Sequence, residues 1–234
     1  TPSELKGLSQ HSSEALRIAA VVALRRQGAF DELTAFLDDA SPQVMSDAMR
    51  AIYDEASPQT FNDHPNVLTA LATSLDPSSP APVNVRAIAA NRRLGTIEAA
   101  RRVAAFLTTP KLDPALRVEA LYSLESWPDA STLDPMDGRH FPVPQGNPEV
   151  LGEVVGPEIW SLAHDSHDKV SRRVIALLRK IEPSPAQLDR VAGFVLDEKQ
   201  RSSIRIEWLR WLRKQKIDLF SSVGVKALAS KSVE

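Results

Sequence analysis

The sequence predicts an all-α fold: an α/α superhelix, or solenoid, of about five to six stacked helix pairs, carrying one long proline-rich loop insertion. Three observations predict it. An amphipathic helix pattern recurs along the whole chain, each copy is preceded by a second apolar-periodic segment, and no useful run of two-residue alternation is present, so no sheet is expected.

The first observation is an alignment. Leu16-Arg17, Val44-Met45, Val85-Arg86, Leu116-Arg117, Val170-Ser171 and Ile204-Arg205 head the copies, at spacings of 28, 41, 31, 54 and 34 residues. Three residues after the second member stand Ala20, Ala48, Ala89, Ala120, Val174 and Trp208. Seven after it stand Leu24, Ile52, Arg93, Leu124, Leu178 and Leu212. A mostly small residue at one position and an aliphatic one at the other is what close helix packing needs. Arg93 breaks the rule, with Leu94 beside it to take over the contact.

Taken in order, the partner segments are 30–37, 67–75, 97–107, 150–163, 187–196 and 219–228. The best-preserved recurring helix is Asp113–Leu124. Asp113 can accept hydrogen bonds from free first-turn amides, Pro114 suits the first helical position, and Leu116, Ala120, Leu121 and Leu124 share one face. Ser184 to Gln187 fits a capping box with proline in the first turn. The connections hold stop and start signals: Asp38 to Pro42, Asp76-Pro77, Thr109-Pro110 and Asp165-Ser166.

The 41-residue gap contains a loop at 55–65. The 54-residue gap contains the irregular stretch 126–148, with prolines at 128, 135, 142, 144 and 148. Removing about 20 residues restores an ordinary helical-pair period. The expectation is therefore a single repeat domain, 1–234, decorated by an insertion.

Composition excludes several classes. There is no cysteine, so there is no disulfide, thiolate metal site, cysteine nucleophile or covalent c-type haem attachment within these residues. Redox compartment stays open. Lys plus Arg is 28 against Asp plus Glu 30, a formal charge of −2 that exerts no global pull on nucleic acid or anionic membrane. No apolar run is long enough to span a bilayer. The start, Thr1-Pro2-Ser3-Glu4, reads as a chain whose leader has been removed or, the favoured expectation, as a piece cut from something longer.

The small-residue helix opening with Val/Leu-Arg after an Asp-containing turn resembles HEAT-like repeats. The resemblance implies inward arginines, Arg17, Arg86, Arg117 and Arg205, forming a ladder with Asp39, Asp76, Asp113 and Asp197. Met45 and Ser171 depart from it. A more specific likeness joins Ala48 to Glu55, Arg86 to Gly95, Ala115 to Leu121, Trp127-Pro128, and Asp134-Pro-Met-Asp-Gly-Arg-His-Phe-Pro-Val-Pro144. In that order they are similar to the HEAT segment of large secreted bacterial proteins. Those proteins join a sugar-dehydrogenase-like propeller, HEAT repeats and a C-terminal c-type haem domain. The likeness covers about residues 12–150, with Pro135 and Phe141 standing where basic residues are expected. It implies a non-catalytic spacer, in the periplasm or outside the cell, that carries no cofactor and touches neighbouring domains of its own chain or other proteins.

Candidate sites are few. Asp137, Arg139, His140 and Phe141 stand beside Gly138 at the tip of the insertion, where they can contact a partner domain or pack back over their own repeat. His164-Asp-Ser-His-Asp168 has metal-ligating types, and equally reads as a turn. Lys199, Arg201, Arg205, Arg210, Arg213, Lys214 and Lys216, with Trp208 and Trp211, could bind single-stranded nucleic acid, or could form a terminal repeat with a charged face. Asn91 reads as a buried amide bridging backbone. No phosphate loop, nucleophile elbow or His-Glu-x-x-His is present, so no catalytic residue is expected.

Overall fold

A computed structural model describes residues 1–229. Two compact units divide at residue 150, immediately after the insertion.

Unit 1 begins with α1 (Pro2–Gly7), followed by α2 (Glu14–Gln27), α3 (Phe30–Leu33) with a 3-10 turn to Phe36, and α4 (Pro42–Tyr53). Then come α5 (Pro58–Asp63), α6 (Pro65–Thr73), α7 (Ala81–Leu94), α8 (Ile97–Leu107) and α9 (Pro114–Glu125). The recurring copies are α2, α4, α7 and α9, and the preceding segments are α3, α6 and α8. Starts follow local chemistry. Ser13, Ser41, Thr96 and Asp113 each accept a first-turn amide, the last from Ala115 at 2.7 Å, with Pro114 at the first position as expected. Helix α7 stops at Gly95, whose φ of 64° is the left-handed conformation that ends a helix without a Cβ penalty.

The aligned small residues Ala20, Ala48, Ala89 and Ala120 are buried, as are Leu24, Ile52 and Leu124. Each buried aliphatic side chain contributes about 1.5–3 kcal/mol. The core of this unit runs through Leu33, Phe36, Val44, Met49, Val67 and Leu71 to Val83 and Ala90, and it includes Phe141 from the insertion.

Unit 2 takes over within α10 (Glu149–Val154). It continues with α11 (Pro157–Ser161) and a 3-10 turn, then α12 (Asp168–Leu178), α13 (Pro185–Leu196), α14 (Ser202–Gln215) and α15 (Ile217–Leu228). The capping box at Ser184 and Gln187 is formed. Trp160, Trp208 and Phe194 group in its core, the two indoles stacked at 6.1 Å.

Two expectations are corrected. The 55–65 loop contains α5, started by a capping box of Ser57 and Thr60. The insertion contains a two-stranded antiparallel sheet, β1 (Ser131–Leu133) with β2 (His140–Val143). Alternation is present in β2, where Phe141 and Val143 face inward, but four residues broken by a proline are too short to read as a strand.

Candidate interaction surface

The insertion is fastened to unit 1 by two adjacent arginines of α7. Arg93 occupies the repeat position that is aliphatic in the other copies, and it is only 7% exposed. Its guanidinium donates to the Asp134 carboxylate, to the Pro142 carbonyl at 3.0 Å and to the Phe141 carbonyl at 3.2 Å. It also stands 3.3 Å from the centre of the Phe141 ring. Tyr53, from the end of α4, donates its hydroxyl to Asp134 at 2.7 Å. Leu94, the substitute contact, packs half-buried against the core.

Arg92 holds the base of the insertion. It donates to the carbonyls of Ser126 at 3.0 Å, Pro144 at 2.9 Å, and Asp129. Its guanidinium lies over the buried Trp127 indole. Gly146 closes the loop, donating to the Trp127 carbonyl at 2.9 Å. A Cβ at Gly146 would stand 2.6 Å from the Trp127 ring, so only glycine fits there.

Both oxygens of Asp134 are used. One takes Tyr53 and Arg93, and the other accepts the Met136 amide at 2.8 Å. Burial drives the carboxyl pKa upward, but the hydrogen bonds from Tyr53, Arg93 and Met136 outweigh it and hold the pKa below the ordinary carboxylate value. Burial drives the Tyr53 hydroxyl pKa well up, so Tyr53 stays a neutral donor. Burial likewise lowers the pKa of Arg92 from the ordinary guanidinium value.

Of the four tip residues, Arg139 donates to the Tyr53 and Asp54 carbonyls at 2.5 Å each, closing the C-terminal end of α4. Phe141 is 2% exposed and stacks on Phe61 of α5 at 5.6 Å. Asp137 pairs with Arg139 at 3.2 Å and is exposed, as is His140. The structure thus turns Arg139 and Phe141 inward onto their own repeat and leaves Asp137 and His140 at the surface. Sequence reasoning noticed Arg93 only as an irregularity and missed Arg92, Tyr53 and Asp134. The charged residue at an apolar repeat position was the available signal.

Of the ladder that the resemblance implies, the Arg17 rung forms with Asp39 and the Arg86 rung takes a different aspartate. Arg17 pairs with Asp39 through two bonds, of 2.7 and 3.0 Å, and its pKa rises with that pairing. Arg86 pairs with Asp54 rather than Asp76, at 2.8 and 2.7 Å, because Asp76 is folded onto its own turn around Ser78. Arg117 donates to the Thr109 carbonyl and Arg205 to that of Val195. Asp113 and Asp197 accept nearby amides, from Ala115 and Lys199. At Ser171, where the pattern lapses, Arg201 reaches back to the Ser171 hydroxyl and to the Asp165 and Ser166 carbonyls.

The remaining candidates resolve locally. Asn91 bridges the Ala72 and Ala87 carbonyls at 2.8 Å each and accepts Arg102. His164 engages Gln200 and meets Phe194 edge-on. Burial is the main cause of its pKa lying below the ordinary imidazole value, the Arg190 charge adds to that, and Asp197 opposes it. Asp168 pairs with Arg172 and Arg201, and among the described residues no group of three or more His, Asp or Glu could hold a metal ion. Trp208 and Trp211 are each 1% exposed, so neither offers a face for a base to stack on.

An open cleft of about 510 Å³ lies between α9 and the docked insertion, lined by Arg92, Tyr122, Glu125, Asp129, Leu133 and Asp134 among others. Among the described residues no helix is long and apolar enough to cross a membrane.

No protein-family model matches the chain, and no curated protein matches it. Solved structures do. A computationally designed armadillo repeat protein made for modular peptide recognition is 16% identical, with 97% of this chain and 90% of that one covered, at a TM-score of 0.50. A second engineered protein is also 16% identical, at 97% and 95% coverage and a TM-score of 0.50. A further designed armadillo repeat protein is 18% identical over 100% of this chain and 93% of the other, at a TM-score of 0.49. The two likenesses at a TM-score of 0.50 speak to fold alone, and that fold is an armadillo-type helical repeat.

Proposed function

We propose that the chain is a non-catalytic interaction scaffold whose binding face is the docked insertion of unit 1. One observation carries this reading: Arg92, Arg93, Tyr53 and Asp134 pin an irregular, proline-rich loop rigidly onto the helices. Ordering such a loop opposes folding by about 1–2 kcal/mol per residue in backbone entropy. The repeat stack could close with a short turn instead, as α8 and α9 do. A surface held in one geometry binds without that ordering cost at the moment of association. The solved neighbour designed for peptide recognition supports the stack as a scaffold for such a surface.

The resemblance of residues 12–150 extends the proposal to a setting. The segment would stand between a sugar-dehydrogenase-like domain and a c-type haem domain of one secreted chain, binding neither cofactor itself. The test is the coding sequence on both sides, followed by hydrogen exchange of the chain with the adjoining domain added. A propeller upstream, Cys-x-x-Cys-His downstream and protection at 131–143 are expected. A gene lacking both flanking domains contradicts the setting, and unchanged exchange across 131–143 contradicts the binding face.

A further inference from the structure

In unit 2 the exposed side of α12 and α14 is basic, and the carboxylates of these helices are already shared. Asp168 and Glu207 are the only acidic residues within the two helices. Asp168 takes Arg172 Nε at 2.7 Å and Arg201 Nη1 at 3.1 Å. Glu207 takes Arg179 Nη2 at 2.8 Å and Arg210 Nη1 at 2.7 Å. Each group is two guanidiniums around one carboxylate, so each keeps one positive charge in excess after its own pairing. The Glu207 charge also reaches Arg172, which places the two groups side by side. Arg213 and Lys214 are exposed and follow Arg210 at i+3 and i+4, continuing its face with the same sign.

Hydrogen-bonding capacity narrows the partner. A guanidinium has five N–H donors, of which Arg172 gives its carboxylate the one on Nε and Arg210 gives one on Nη1. These side chains are 48% and 63% exposed. An incoming carboxylate therefore meets forks of N–H donors already held in place, the geometry of a charge-assisted, two-point contact. Ile206 stands one turn before Arg210 on the same face and is 43% exposed. An aliphatic side chain among arginines suits a peptide, which offers both carboxylates and hydrocarbon, better than it suits a phosphodiester strand. Trp208 and Trp211 lie in the core, so this face has no ring on which a base would stack.

We propose that the α12 and α14 face of unit 2 binds an extended acidic segment of a protein partner that carries an aliphatic residue among its carboxylates. The carboxylates take the remaining donors of Arg172 and Arg210, the aliphatic side chain covers Ile206, and Arg213 and Lys214 draw further negative charge. Asp168 and Glu207 hold the guanidiniums beforehand, so binding orders fewer side chains. This face belongs to unit 2 and stands apart from the insertion of unit 1, so each reading can fail without the other.

The test is titration of the full chain, observed by NMR, with the capped peptide Gly-Glu-Leu-Glu-Glu-Gly and with its counterpart carrying glutamine for every glutamate. The acidic peptide is expected to move the resonances of Ile206, Arg210 and Arg213 at low salt, and less as salt rises. The glutamine peptide is expected to leave them in place. Joint Arg210→Gln and Arg213→Gln substitution is expected to weaken binding about fivefold, with Ile206→Gln weakening it separately. All three positions are exposed, and an unchanged circular dichroism spectrum and Tm verify that the variants stay folded. Equal binding of the glutamine peptide overturns the acidic assignment. Oligodeoxythymidylate binding at these residues more tightly than the peptide overturns it in favour of nucleic acid. Self-association of the chain that the double variant loses overturns it in favour of a second copy. No movement of these resonances by the acidic peptide overturns the site itself.

Discussion

Asp134 is the buried carboxylate through which the insertion meets α4 and α7. It sits buried between Arg93 and Tyr53, and removing one member of a buried ion pair leaves the other charge uncompensated. Asp134→Asn should destabilise unit 1 by roughly 3–5 kcal/mol in urea denaturation. The same residue sets an acid limit. Its carboxyl pKa is lowered on folding, so its stabilisation is complete above the ordinary carboxylate value of about 3.9 and is lost as pH falls through the folded value. Trp127 fluorescence should report release of the insertion below about pH 4 and stay flat from pH 5 to 8. Gly146→Ala meets a steric limit instead. Its new methyl would press on the Trp127 ring and carbonyl, an overpacking worth about 1–3 kcal/mol, visible as a lowered Tm.

At the scale of elements, the recurring helices and the position of the insertion were legible, whereas α5 and the hairpin within the insertion were not. Residues 97–107 read as a helix and form α8, and Asp113-Pro114 starts α9 as its chemistry requires. Period and caps are local signals, and a stack of neighbouring helices satisfies them locally. The hairpin depends on contacts far apart in sequence: Tyr53 to Asp134, and Arg139 to the end of α4. No periodicity announces such contacts. The same limit explains Arg86, whose partner Asp54 lies in the preceding pair rather than in the adjacent turn. A prediction belongs here. Leu121 is fully buried on α9, so Leu121→Asp should lower protection in α8 and α7 as well as α9, because each pair is stabilised chiefly by its neighbours. Loss confined to α9 would contradict the stacking account.

At the scale of the whole molecule, charge and aromatic burial bear on partners. The chain carries a formal charge of −2, and the tryptophans that stand among the basic residues of unit 2 are in its core. Arg201 and Arg210 are tied to protein groups at Asp168 and Glu207. Single-stranded oligonucleotides at physiological salt should therefore leave tryptophan emission unquenched and their own anisotropy unchanged. A salt-sensitive complex under those conditions would redirect the functional reading to unit 2.

Helix α7 departs from its repeat pattern at Arg93, and the guanidinium placed there holds the insertion. Arg93→Leu restores the aliphatic residue found at that position in most other copies, and it separates the two roles of the site. Hydrogen exchange on this variant is the most direct measurement. The amides of Asp134, Gly138 and Gly146, bonded in the docked loop to Arg139, Asp134 and Trp127 carbonyls, should lose protection, while the amides of α8 and α9 keep theirs. Retained protection across the hairpin, or equal loss throughout α8 and α9, would show that Arg93 does not hold the insertion.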